Sequence, residues 1–482
     1  MAVAYAGYPS AFLFDTPGGK KKKKVQHLLW GDWMKVLEND GDWVKVHSRG
    51  SDGWIEASNV QDTRLLEVNF VDIGQGDGCF IVTPDDRFIL VDAGAGDNMF
   101  RFLRWRFGLK SSPTRKIRFD TAIMSHPDLD HYGGFEPLFE SKNFAFETLY
   151  HNGILERSGE DAEGLGELDE TGKYLVSLYP DRDALEGHVN DTALVGRGKL
   201  ASVMRKALEC VTDARMLSAD DGWVPGFEEN EEVSLQVLAP VPERVDSRTA
   251  YRLFGSKGRQ KGPTKNGHSI VLKLRIGDVA MLLGGDLNIP AEKYLLDHYA
   301  GGPGADGFLS QAREVLRADV AKACHHGSAD LSLDYLRAVD AIATIVSSGD
   351  DEPHCHPRPD ALGAFGRHGR GERPLIFSTE LARSAPESIK DPRALRRAIA
   401  ELLTEWEASD HADERKKIRA AIEASVDLDP SVAVYGMINV RTDGEKVIIA
   451  QKLEKPRHLT GEKWDIHRLE PRPDGLRYES KH

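Results

Sequence analysis

The sequence predicts an α/β protein with a small all-β unit ahead of it. Two patterns carry this prediction. From Leu65 onward, the apolar runs Leu66–Phe70, Cys79–Val82 and Phe88–Ala93 are short and separated by Gly/Asp turns, as strands are. Farther along, the runs Thr121–Met124, Val279–Leu283 and Val320–Ala323 are each followed within three residues by a His or an Asp. Helical spacing supplies the α component. Lys199–Val211 reads as one amphipathic helix. Residues 391–426 read as two, with stripes Leu395, Ile399, Leu402, Leu403, Trp406 and Ile418, Ile422, Val426.

The N-terminal unit comes first in the chain. Leu28–Leu37 is strand-like, Gly41-Asp42 marks a turn, and Trp43-Val44-Lys45-Val46 resumes the alternation before Gly53-Trp54-Ile55. Over residues 25–62 this rhythm resembles a bacterial Src-homology-3-like barrel. The resemblance implies a small β barrel with an N-terminal extension, residues 1–62, that closes its own core and docks a protein partner or a longer substrate. Its tryptophans either line a groove or fill that core. The run Lys20–Lys24 sits at its edge, as a solvated loop or a nucleic-acid contact.

The most informative stretch is Ser125-His126-Pro127-Asp128-Leu129-Asp130-His131-Tyr132-Gly133-Gly134. Imidazole nitrogen and carboxylate oxygen together suit zinc, manganese or iron(II). One cation rarely takes four ligands from one short loop, so His126, Asp128, Asp130 and His131 point to two adjacent metals, a pair typically ~3.5–4 Å apart. The loop resembles the His-x-His-x-Asp-His signature of the metallo-β-lactamase superfamily. Asp128 stands where a second His is more frequent. With Gly133-Gly134 behind it, this resembles the branch of the ComEC competence proteins and the phosphorylcholine esterases. Val71–Asp77, Leu90–Gly94, the Cys324–Ser328 run and Gly436–Gly444 have ComEC-type wording too.

The resemblance implies an αββα sandwich over residues 63–455, with helical insertions near 155–265 and 385–430 and a C-terminal tail at 456–482. It implies that Asp92 supports the metal loop by hydrogen bonds and that Asp286 bridges both metals. His326 is placed on the second metal. His325 faces substrate, to bind a phosphate oxygen or protonate a leaving group. Asp130 orients a metal-bound hydroxide while ligating the second metal. His356, in Glu352–Pro357, is a candidate supporting or substrate-contacting residue. The third ligand of the first metal stays open: His151 and His268 are candidates, and neither is chosen. The basic stretch Ser247–Lys265 reads as a solvated loop or a substrate contact beside the site.

Composition sets outer limits. The chain has 482 residues, 29% charged and 40% hydrophobic, which suits a soluble protein of two or three domains. A net charge of −14 argues against general affinity for duplex DNA, although a local basic track can still guide a strand. Four cysteines without zinc-finger spacing, and no long apolar segment or signal-peptide pattern, lead us to expect a cytoplasmic protein with no membrane part. The expected activity is dinuclear, metal-dependent hydrolysis with zinc or manganese. The expected substrate is a phosphodiester, with single-stranded nucleic acid as one candidate. Rival readings are a lactone or thioester hydrolase, a small cyclic-nucleotide or phosphocholine-type esterase, and a metal-stabilised interaction scaffold.

Overall fold

Alternating burial decides how the strands stack. In the computed structural model, which describes residues 2–18, 22–158, 164–196, 198–349, 354–379, 392–426 and 436–480, the strands form two main sheets. The larger has ten strands in the spatial order Val211–Met216, Phe144–His151, Ile117–Met124, Phe88–Ala93, Gly78–Val82, Leu66–Phe70, Ile438–Thr442, Val447–Lys452, Trp464–Arg472 and Gly475–Glu479. The first four pair in parallel and the rest are antiparallel. The second sheet has six: Val233–Ala239, Val271–Ile276, Val279–Leu283, Val320–Lys322, Ala343–Val346 and Leu375–Ser378.

Leu66, Val68, Phe70, Ile81 and Ile89 of the first sheet meet Leu235, Leu272, Leu274, Met281 and Ile345 of the second in one buried layer. The opposite faces are covered by helices. Asn98–Arg106, Phe135–Glu140 and Leu200–Cys210 cover the large sheet, and Ile289–Ala300, Phe308–Leu316 and Leu333–Val339 cover the small one. The result is the αββα sandwich expected from the sequence. Parallel strands end together, so the loops after Met124, Leu283 and Lys322 gather at one edge. Among the described residues no helix is long and apolar enough to cross a membrane.

Residues 3–61 form an all-β region of seven antiparallel strands in a curled half-barrel. Its core is aliphatic: Ala6, Leu13, Leu28, Met34, Val46 and Ile55. The tryptophans do not fill it. Trp43 and Trp54 are half-buried on the outer face, Trp33 is exposed, and Trp30 packs into the core of the large sheet.

This region is not independent of the sandwich. On strand Ile438–Thr442, Ile438 and Val440 face the inter-sheet core while Arg441 turns outward, 1% exposed. Its guanidinium donates to the Trp30 carbonyl (2.6 Å), lies 2.8 Å from Asp32, and lies 3.5 Å from Glu67. Arg49 also pairs with Asp32 (2.6 Å), and Arg106 with Glu67 (3.1 Å). The half-barrel has a core of its own, yet a buried arginine of the sandwich takes its counter-charge from it.

Three expectations change. Residues 456–482 hold Trp464–Arg472 and Gly475–Glu479, which extend the large sheet. At a sheet margin the strands carry polar residues on their open face, so Asp465-Ile466-His467-Arg468 reads as a tail. The 155–265 region is not wholly an insertion, since Val211–Met216 and Val233–Ala239 belong to the two main sheets. Arg248–Arg252, within the stretch read as a loop, joins a three-stranded sheet with Tyr174–Leu175 and Glu243–Val245. The two expected helices near 385–430 are Pro392–Ala408 and Ala412–Val426. Lys20, Lys21, Glu352 and Pro353 lie outside the described residues.

Candidate metal centre

Strand Ile117–Met124 delivers Ser125 and His126, and the short helix Leu129–Tyr132 follows directly with Asp128 as its N-cap. Asp130 and His131 are neighbours on that helical turn, so their side chains diverge. Asp130 faces His326 (Oδ2 to Nε2, 3.5 Å), and His131 faces Asp286 (Nε2 to Oδ2, 3.2 Å). Gly134 makes the close docking of this turn possible: a Cβ there would lie 1.9 Å from the Ala93 carbonyl.

Three imidazoles converge on Asp286. Its Oδ2 lies 3.1 Å from His326 Nε2, 3.2 Å from His131 Nε2 and 4.0 Å from His126 Nε2. All three Nε2 atoms, and Asp286 Oδ1, are buried with no hydrogen-bond partner. Each Nδ1 is occupied. His131 donates to Asp92 (2.8 Å), His326 lies 3.2 Å from the Ser347 carbonyl, and His126 lies between the hydroxyls of Ser125 (3.1 Å) and Ser269 (3.3 Å). Holding Nδ1 in this way fixes the ring and leaves Nε2 to face a cation. Asp92 does the same for the loop, accepting from the Ser125 amide (2.7 Å) and hydroxyl (2.6 Å).

The tightest candidate metal-binding group is Asp77, His131, Asp286 and His326, whose ligand atoms lie within 4.8 Å of one another. Asp77 is a residue the sequence reading missed, although it ends the very motif Val71–Asp77. Gly76 allows its approach: the residue has φ +104° and a Cβ there would strike the Asp130 carbonyl. Lys322 ties the group together, pairing with Asp77 while donating to the Gly285 carbonyl (2.9 Å) and lying 3.6 Å from Asp286. His126 and Asp128 flank the group, with Nε2 and Oδ2 3.5 Å apart.

The electrostatics match a cation site. Burial would raise Asp286, yet His326 and His131 hold it well below the ordinary carboxylate range. Burial would likewise raise Asp128, but His126 and Lys265 hold it down. Asp130 is also held down against burial, by His326 and His131. Conversely, burial would lower His131 and His326, and the surrounding carboxylates, led by Asp286, raise both well above the usual imidazole value.

The remaining candidates divide. His325 and His326 occupy consecutive left-handed conformations (φ 47° and 53°), rare for residues with a Cβ, and their rings stand 6.1 Å apart at 73°. His326 therefore turns inward while His325 is half-buried at the rim, 5.5 Å from the ring of His356. Burial lowers the His325 pKa below the ordinary value. His268 is not brought into the site. It is stacked between Tyr251 (4.4 Å) and Phe254 (4.9 Å), donates to the Arg252 carbonyl (2.7 Å), and burial brings it down to about 4. His151 also lies outside the tight group. Its Nδ1 accepts from the Gly153 amide (3.0 Å), and burial alone lowers it to about 4.

The basic stretch contributes one residue directly. Helix Lys261–Gly267 brings Lys265 onto Asp128, with Glu156 Oε1 3.0 Å away, and with the Asn266 amide nitrogen turned to Asp128 it lies at 2.9 Å. Arg248 and Arg252 are instead paired locally, with Glu167 and Glu243.

A family model for the metallo-β-lactamase superfamily matches residues 78–341, the span that contains every residue of the centre but Asp77. The chain belongs to the metallo-β-lactamase superfamily. As a superfamily member with a candidate metal-binding cluster, it has the make-up of a metal-dependent hydrolase. It is 22% identical over 316 residues to ComE operon protein 3 of Bacillus subtilis (strain 168), covering 63% of this chain and 31% of that one. This superfamily member thus spans less than a third of that relative. Among solved structures, zinc-bound PqqB from Methylobacterium extorquens aligns over 63% of this chain and 85% of its own, at 12% identity and TM-score 0.30. The subclass B3 metallo-β-lactamase MEM-A1 from a soil metagenome library aligns over 54% and 76%, at 12% identity and TM-score 0.24.

Proposed function

We propose that the protein is a phosphodiesterase that holds two divalent cations, zinc or manganese, and that it acts on single-stranded nucleic acid in the cytoplasm. The observation that carries this reading is the convergence of three partnerless Nε2 atoms on Asp286, with Asp128 and Asp130 on its flanks. In this reading His126 and Asp128 would hold one cation and Asp130, His131 and His326 the other, with Asp286 contributing to both. Carboxylates matched to imidazoles make the set hard enough for manganese as well as zinc. When bound, the cations supply Lewis acidity and lower the pKa of water towards neutrality.

The chain's own residues do the rest. Asp92 and Ser125 keep the imidazoles oriented, and Lys322 holds Asp77 against the group. His325 serves substrate. Its Nε2 lies 3.5 Å from the other amide atom of Asn266, and its ring stands half-buried at the rim, where a bound phosphodiester anion would favour the imidazolium that protonates a leaving oxygen. The four cysteines are free thiols, in keeping with a reducing compartment.

The test is elemental analysis of metal-loaded protein, then a screen of bis(p-nitrophenyl) phosphate, single-stranded DNA, RNA, a lactone and a thioester with zinc or manganese. We expect two ions per chain and turnover of the phosphodiesters. At most one ion at saturation would sink the two-cation assignment, and turnover confined to the lactone or thioester would sink the phosphodiesterase.

A further inference from the structure

The half-barrel sends its largest side chains outward. Alternation puts Ala11, Leu13, Val44, Val46, Gly53 and Ile55 inside, and Phe12, Phe14, Trp43 and Trp54 on the outer face, each half-buried. Register makes them one surface. Phe14 is the cross-strand partner of Trp54, and Trp54 is the partner of Lys45 on the next strand. Phe14 and Trp43 meet edge to face at 6.0 Å.

A lysine ammonium lies over each ring. Lys24 Nζ is 3.7 Å from the centroid of Phe12, Lys22 is 4.2 Å from Phe14 and 4.4 Å from Trp43, and Lys45 is 5.7 Å from Trp54. The core is already closed by aliphatic residues, so none of these rings is needed to fill it. A strip of rings interleaved with amines, on a chain of net charge −14, matches a ligand that alternates flat π-faces with anions.

We propose that this outer face is a stacking platform for single-stranded nucleic acid, distinct from the metal centre. Bases stack on Trp54, Phe14 and Trp43. Lys45, and Lys22 on leaving Glu56 (3.2 Å), swing off the rings to meet the phosphates. A duplex, whose bases are stacked on one another, cannot use the rings, and a peptide has no charged backbone to meet the amines. The inference rests on the phosphodiesterase reading only in taking the bound strand to be the substrate; binding to the platform stands apart from cleavage.

Fluorescence anisotropy of a labelled oligo-dT strand, titrated with the full-length chain carrying Asp286→Asn, reads binding whether or not the centre cleaves phosphodiesters. We expect Trp54→Ala to weaken binding by about tenfold, the scale of one lost base stack, and Trp54→Phe to restore most of it. Lys45→Gln and Lys22→Gln leave the rings and core intact, so they remain informative if Trp54→Ala fails to fold. Each should lower the steepness of the salt dependence by about 0.7 per lost phosphate contact. Equal affinity in all variants would overturn the platform, as would tighter binding of the matching duplex. No binding at about 100 µM protein, the weak end of non-specific affinities, would overturn it too. A peptide that displaces the oligonucleotide from Trp54 at lower concentration would reassign the face to protein.

Discussion

Two buried charge clusters lie in this molecule, and they are built on opposite rules. Between the half-barrel and the sandwich, Asp32 and Glu67 face Arg49, Arg106 and Arg441, so each charge touches its opposite. At the strand ends, Asp77, Asp92, Asp128, Asp130 and Asp286 have, among the described residues, only Lys265 and Lys322 as fixed cations, and three imidazole nitrogens point at one carboxylate without a partner. In the first cluster both carboxylates find their counter-charges within the protein. The second is complete only with added positive charge. Burying a charge costs heavily unless it is compensated, so an imbalance held in place by Asp92, Ser125 and Ser269 marks a site shaped for a ligand.

The comparison can be broken most sharply at Asp286. We expect Asp286→Ala to abolish hydrolysis and to strip metal, as measured by turnover and elemental analysis. Metal content and turnover equal to those of the unsubstituted chain would erase the contrast between the clusters. His325→Ala should keep both ions and lose about 10²–10⁴-fold in rate, the usual scale for a positioned acid. Equal metal loss in His325→Ala and His326→Ala would show that their roles are wrongly divided.

The balanced cluster should answer in stability. Asp32→Ala leaves Arg441 with Glu67 as its one remaining carboxylate and takes the partner from Arg49. Breaking such a pair typically costs about 3–5 kcal/mol, readable in urea unfolding, with metal content per folded chain unchanged. Deleting residues 1–62 removes the same partner, and we expect that truncation to aggregate rather than yield a free-standing hydrolase. Asp92→Asn belongs to the other cluster and should act on binding instead, weakening metal affinity by about 10–100-fold with little change in fold.

The smallest effect is a pH dependence. Burial would raise the Glu67 carboxyl, but Arg106 and Arg441 outweigh it and hold it at about 2, below the ordinary 4.5. A depressed carboxyl stabilises the fold above its unfolded value and stops doing so as pH falls through its folded value. The melting temperature should therefore decline between pH 4.5 and about 2. Glu67→Gln should flatten part of that decline, and an unchanged slope would remove Glu67 from the cluster's account.

Much of the candidate centre was legible because the residues that gather there sit in short runs after apolar strands. His126, Asp128, Asp130 and His131 share one loop, and Asp286 and His326 each close a strand. What escaped depends on contacts across long sequence separations. Asp77 reaches the group only because Gly76 admits the Asp130 backbone, and nothing in the residues near it announces His326 as a neighbour. His268 looked like a ligand from its place in the chain, but two aromatic faces hold it instead. Arg441 reads as an exposed strand position in a polar alternation. Its burial is set by Trp30 and Asp32, far away in sequence.

The middle of the large sheet has one more consequence. Leu66–Phe70 pairs on one side with Ile438–Thr442, and Asn439 lies 370 residues after Asn69. At a translation rate of ~5–20 residues per second, that partner emerges roughly 20–70 s later. Until then the nascent chain carries an open, apolar strand edge of the kind that recruits other chains. Synthesis of this protein therefore passes through an interval in which a ribosome-associated holdase should bind it, near Leu66–Phe70, and release it only after Thr442 has cleared the exit tunnel.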